Sequence, residues 1–258
     1  MGPVSGSTNA QEALSGPVGD SALTRLTDSL AGEVVLRHVP GCRVLDLGYG
    51  SPEVAQWVQR HTVDRLSIVE KEALDATDGP LVLEELPDES FDLVYCLRTF
   101  PHLGEDADSS ERLAGELLAE AARVTLPGGT ILVEIANPRS LRGILDGIRH
   151  PMTVVAQRGM VVEDAVNLTR YDTLARFRSF VPRELDIVDV HGLGVLVPHE
   201  TTLDIPILGS VLARLEWLAR DSSLLSHFGA QLLVVLRKLT RAQLPLDLST
   251  ASLVAVKS

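Results

Sequence analysis

An α/β fold built on a doubly wound, mostly parallel sheet is what this sequence predicts, and three observations carry it. Short apolar runs alternate with longer segments whose apolar residues recur at helical spacing. The first run, Arg43-Val44-Leu45-Asp46-Leu47, leads through Gly48 and Gly50 directly into a helix start. A Pro127-Gly128-Gly129 turn then separates a helical stripe from the apolar run Thr130 to Ala136. Val44, Leu45 and Leu47 suit a buried parallel strand, and the two glycines let the backbone turn with no side chain in the way. Ser51 is placed to cap the helix and Pro52 to take its first position, so strand, turn and helix make one crossover unit.

The chain has 258 residues, 45% of them hydrophobic, enough to bury the core of one elaborated domain. A formal net charge of −12 repels polyanions over most of the surface. This argues against a general nucleic-acid or membrane-surface binder, and small molecules are the expected clients. The two cysteines, Cys42 and Cys96, sit in or beside apolar strand-like segments, outside any metal-ligand or disulfide pattern. Reduced thiols, no metal and a cytoplasmic location are the expectation. No basic start followed by an apolar core opens the sequence, and no apolar run approaches the roughly 18 residues of a membrane span.

Residues 1–19 are rich in Gly, Ser, Pro and Ala and are expected to form a mobile tail, because they cannot offset the entropy of ordering. The folded domain is expected over 20–238, with 239–258 a C-terminal tail. From Asp20, the spacing of Leu23, Leu26, Leu30 and Val34 predicts a helix ahead of the first strand. Arg65 to Val69 reads as a second strand ending at Glu70. Lys71 to Gly79 is barely long enough for one or two helical turns, and Leu81 to Leu83 gives a short third strand. Phe91 to Leu97 reads as a buried fourth. Asp108 and Glu111 have capping-box spacing before the stripe Leu113, Leu117, Ala121 and Val124, and Thr130 to Ala136 is the fifth strand. Leu185 to Val197 supplies a late strand, Leu208 to Leu218 a helical stripe, and Gln231 to Leu236 the last strand after Gly229 breaks the helix.

Asp46-x-Gly48-x-Gly50, the acid Glu70 at the end of the next strand, Phe91-Asp92-Leu93-Val94 and the Pro-Gly-Gly turn occur in that order. Together they resemble the motifs of the class I S-adenosylmethionine-dependent methyltransferases. The resemblance implies a three-layer, seven-stranded Rossmann-like methyltransferase sheet with an antiparallel last strand, and S-adenosylmethionine as cofactor. It carries cofactor binding to Asp46, Gly48 and Gly50, and the grip on the ribose hydroxyls to Glu70. Pro52 stands where that family often has a third glycine. The alignment puts Val82 where an adenine-binding acid is usual, so Glu84 or Glu85 substitutes from a shifted position or the backbone alone holds adenine. Cys96, Leu97 and Arg98 fall near the expected methyl group, with Leu97 counted among the cofactor contacts. His102 matches a histidine frequent in the family and is the candidate catalytic base; a surface or capping role is the alternative.

Residues 137–182 interrupt the alternation of strand and helix and are the expected substrate-recognition insertion. They hold seven arginines against four acids in an otherwise acidic chain. Such a patch either attracts an anionic acceptor or pairs with acids of the main body. Asp172 is expected to cap a helix starting at Thr173, and Arg170 and Tyr171 match a stretch lining the acceptor pocket in similar enzymes. Tyr171, with His191 behind it, is the next candidate for proton transfer. The predicted function is methyl transfer to a small-molecule acceptor by in-line displacement. A nucleotide dehydrogenase is disfavoured because Glu53 would oppose a pyrophosphate on the same helix N-terminus. A methyltransferase-like fold that no longer catalyses, serving as a binding or partner subunit, is the competing reading. The sequence leaves the oligomeric state open.

Overall fold

A computed structural model describes residues 21–39, 41–48, 51–62, 64–68, 86–140, 160–163, 168–197, 206–240 and 242–243. Gly50, Glu70 and Glu84, the short link after Glu70, the expected third strand and the greater part of both tails lie outside the described residues.

The sheet is organised about β1 (Arg43–Leu47), with β2 (Asp64–Ile68) parallel on one side and β3 (Phe91–Cys96) parallel on the other. The chain steps outward from β1 to β2 and returns across β1 to β3, so the order reverses between β1 and β3. An open α/β sheet leaves a ligand crevice at such a reversal. β4 (Thr125–Ala136) continues the sheet parallel to β3. Beyond it, β8 (Gln231–Lys238) runs antiparallel to β4 and to β7 (Leu185–Leu193). The expected doubly wound sheet with an antiparallel last strand is present. An additional hairpin, β5 (Met160–Glu163) and β6 (Leu168–Tyr171), joins the far end of β4, where Tyr171 pairs with Ala136.

Helices α1 (Ala22–Leu36) and α2 (Pro52–His61) cover one face, where Leu30, Val34, Val54 and Val58 share a buried cluster with Leu93 and Leu132. On the other face, α3 (Ala107–Val124) and α4 (Leu174–Phe180) contribute Leu113, Leu117 and Phe177 to a cluster with Leu45, Val94 and Ile131. α2 starts as its sequence predicts: Ser51 caps Val54 and Pro52 occupies the first turn, where its missing N–H costs nothing.

Several boundaries differ from the sequence expectation, each for a local reason. The cap of α3 is Asp106, which accepts from the Ser109 N–H at 2.7 Å while the Ser109 hydroxyl answers its backbone, so the helix begins earlier than Asp108. Phe91 pairs with Thr125 but Leu93 pairs with Thr130, so β4 already begins at Thr125 and the Pro-Gly-Gly turn bulges from it, with Gly128 at φ +83°. Thr173, not Asp172, caps α4 by accepting from the Arg176 N–H. Asp172 is instead buried and paired with Arg170 at 2.7 Å. In α5 (Pro206–Arg220) the apolar stripe Leu208, Val211, Leu215 and Leu218 faces outward. Its inward residues include Glu216, which accepts from the Val195, Leu196 and Val197 N–H groups, and Arg220, which donates to the Leu30 carbonyl and Glu33.

Arg170 ties β6 to the second face. Its guanidinium donates to the Ser110 carbonyl and hydroxyl on α3 and lies 4.6 Å from the Phe100 ring centroid and 5.2 Å from that of Phe180. Removing one partner of a buried ion pair leaves the other charge uncompensated. Arg170→Met is therefore expected to destabilise the fold by about 3 kcal/mol in urea denaturation, and a loss under about 1 kcal/mol would contradict this anchoring role.

Candidate functional site

The crevice at the strand reversal is built from the C-terminal ends of β1 and β3. Gly48, just past β1, has φ +148°. A Cβ built there would stand 2.1 Å from Thr99 Oγ1 and 3.3 Å from the Leu97 carbonyl oxygen. No side chain fits that position, so the β1 turn and the chain leaving β3 meet backbone to side chain. Beneath them, Asp46 is buried and accepts a 2.7 Å hydrogen bond from the Tyr95 hydroxyl, joining the two strands below the turn. Leu97 is buried with its carbonyl accepting from the Thr99 hydroxyl. Asp46, Gly48 and Leu97 are thus brought together at the ends of β1 and β3.

Three charged residues occupy the α1 side of this crevice, and sequence reasoning picked out only Arg98 among them. Arg98 follows Leu97 with φ +59°, an uncommon backbone for a residue carrying a Cβ. Its guanidinium pairs with Asp28 of α1, and its backbone N–H donates to Glu134 of β4. Glu134 is fully buried; loss of water pushes its carboxyl up to about 7, Arg98 opposes that rise through its charge and its N–H, and Asp28 adds to it. The available signal was a single acid within the apolar run Ile131 to Ala136, and another on the inward side of the α1 stripe. Burial, with the nearby Asp46, pushes the Cys96 thiol well above the usual cysteine range, so it is no nucleophile.

On the opposite rim, Phe100–His102 forms a 3-10 turn after β3. His102 is exposed, with Nδ1 3.3 Å from the Thr169 hydroxyl of β6. Thr169 and Tyr171 are two residues apart and share one face of that strand, so β6 presents both on the side touching His102. Tyr171 is half-buried. His191 is committed elsewhere: it is buried and bonds Asp221 at 2.8 Å, and its cross-strand partner Leu233 separates it from Glu134. Asp221 also accepts from Arg37 and Arg220, and it is held well below the usual carboxylate range by these arginines and His191 despite its burial. Of the insertion's arginines, Arg170 and Arg176 are paired with Asp172 and Glu111. Among the described residues no group of three or more His, Cys, Asp or Glu is placed to hold a metal ion. None of the described helices is long and apolar enough to cross a membrane.

A family model described as a methyltransferase domain matches residues 45–133, the span that contains α2, β2, β3 and α3 and most of β1 and β4. The 27-O-demethylrifamycin SV methyltransferase of Amycolatopsis mediterranei (strain S699) is 29% identical over 191 residues. That alignment covers 66% of this chain and 64% of the relative, so this chain spans just under two thirds of the relative's length. A solved loganic acid methyltransferase with SAH has a TM-score of 0.51 at 10% identity, covering 87% of this chain and 97% of that one. At that identity the likeness establishes the fold.

Glu134 gives a stability prediction whose sign is fixed by its surroundings. Its carboxyl titrates near 4.5 in the unfolded chain and at about 7 in the fold, so between these values the fold keeps a proton that the unfolded chain has lost. The contribution is fully present below pH 4.5 and is lost as pH rises through 7. Its size is at most about 3 kcal/mol. Glu134→Gln should flatten the fall in stability between about pH 5 and 8, measured against wild type in urea; parallel pH profiles would contradict it.

Proposed function

We propose that this chain is a class I S-adenosylmethionine-dependent methyltransferase that transfers a methyl group to a small-molecule acceptor by in-line displacement. The observation that carries this reading is the side-chain-free contact of Gly48 with Thr99 at the strand reversal, inside the span that matches the methyltransferase domain. That cradle suits the amino-acid end of S-adenosylmethionine, since a Cβ there would close it. Gly48 and the Leu97 carbonyl would hold this end above the Asp46–Tyr95 pair. Gly50, Glu70 for the ribose, and Glu84 or a backbone group for adenine complete the proposed cofactor set.

The cofactor supplies an electrophilic methyl on a sulfonium whose leaving group is a neutral thioether. The chain's own work is to align the acceptor, exclude water and remove a proton where the acceptor is an oxygen or carbon acid. His102 is the proposed base. Its Nδ1 lies 3.3 Å from the Thr169 hydroxyl, and Tyr171 stands on the same face of β6 as a second polar group. The insertion over 137–182 is the proposed acceptor-recognition element, because its β5–β6 hairpin lies against the His102 turn. An anionic acceptor would have to draw on arginines other than Arg170 and Arg176. Pro52 lends no support to a non-catalytic chain, since it is the ordinary first residue of α2 rather than a damaged glycine.

Titration calorimetry with S-adenosylmethionine and S-adenosylhomocysteine should give saturable heat for both; no heat at about millimolar ligand would end the enzyme reading. Screening metabolite extracts with a radiolabelled methyl donor identifies the acceptor. With that acceptor, His102→Ala is expected to lower turnover by about 10²–10⁴-fold and to change its pH dependence between about pH 6 and 9. Unchanged turnover across that range would remove His102 from the mechanism.

A further inference from the structure

Asp28 is an acid on the inward side of a helix whose other buried residues include Leu30, Ala31, Val34 and Val35. A carboxylate in that setting is costly unless paired and hydrogen-bonded. Its partner arrives from β3: Arg98, held in a left-handed backbone between Leu97 and Thr99, reaches α1 with its guanidinium. Two attachments keep this unfavourable conformation, the N–H donated to Glu134 and the ion pair with Asp28. The outcome is a planar, permanently charged fork across the α1 side of the crevice, one residue from each of the two groups that meet Gly48. Its side chain is 29% exposed, so it keeps an open edge.

One cation therefore faces two acids beside a cradle without side chains. A guanidinium fork matches a carboxylate in a bidentate way. Such an arrangement is suited to exchange, because an incoming carboxylate can take the fork while Asp28 gives it up. We propose that Arg98 is the anchor for the α-carboxylate at the methionine end of the cofactor, and that Asp28 holds the guanidinium in place until that carboxylate arrives. This rests on the S-adenosylmethionine reading of the crevice and assigns a residue that the family resemblance placed only near the methyl group. The ion pair of the free protein is then a stand-in for the ligand, and α1 is released from β3 when the ligand binds.

The test compares two ligands that share the nucleoside and thioether and differ in the amino-acid end: S-adenosylhomocysteine and 5′-methylthioadenosine. Calorimetric affinities are measured on the full chain for wild type, Arg98→Ala, Arg98→Gln and Asp28→Asn, each checked by thermal melting. Arg98→Ala is expected to weaken S-adenosylhomocysteine by about tenfold or more and to leave 5′-methylthioadenosine within about twofold. Arg98→Gln keeps hydrogen-bond donors without the charge, and it should show the same selective loss if the alanine variant does not fold. Asp28→Asn frees the guanidinium and should hold or tighten S-adenosylhomocysteine. Equal weakening of both ligands, or no weakening of either, overturns the assignment while leaving the cofactor reading intact. Wild type binding neither ligand overturns both.

Discussion

Everything at this site depends on how closely β1 and β3 approach at their C-terminal ends. Gly48 and Thr99 touch where a single added carbon would collide, and the Asp46–Tyr95 hydrogen bond fixes the strands just below. The strand order reverses between these two parallel strands, so the crevice follows from topology and its narrow floor follows from glycine. A β-branched or bulky residue at Gly48 would separate the chain ends and fill the space they enclose.

Around that floor the fold places two kinds of wall. On the α1 side the wall is charged, with Asp28, Arg98 and Glu134 drawn from helix, turn and strand, and Arg98 is the cation that faces both acids. On the other side the wall is the β5–β6 hairpin, brought against the His102 turn by one strand pairing at Ala136 and by the buried guanidinium of Arg170. Arg170 and Asp172 are almost wholly excluded from water, and the aromatic rings of Phe100 and Phe180 bracket the guanidinium. A charge buried that way positions the hairpin and is poorly placed to greet an acceptor. The arginine excess in the insertion is, for Arg170 and Arg176, an internal fastening.

The sequence made the floor legible and left the walls largely unread. Strand β1, the glycine turn and the Ser51–Pro52 helix start are encoded locally, by residues whose preferences need no distant partner. Boundaries slipped where two local solutions competed: Asp106 outcompetes Asp108 as a cap because Ser109 answers it, and β4 absorbs the Pro-Gly-Gly turn as a bulge. The hairpin escaped notice because its strands are short and lean on a single pairing with β4. α5 shows the limit of periodicity. Its leucine stripe announces a helix, yet Glu216 and Arg220 turn inward because backbone N–H and carbonyl groups await them there. Asp28 and Glu134 were each one acid in an apolar pattern, and only tertiary structure brings them to the same arginine.

The most direct measurement is a crystal structure grown with S-adenosylhomocysteine. Density for the homocysteine end lying over Gly48, between the Leu97 carbonyl and α1, is the predicted result. A nucleoside bound elsewhere on the protein, or a Gly48 turn sealed by the chain's own side chains, would contradict the account.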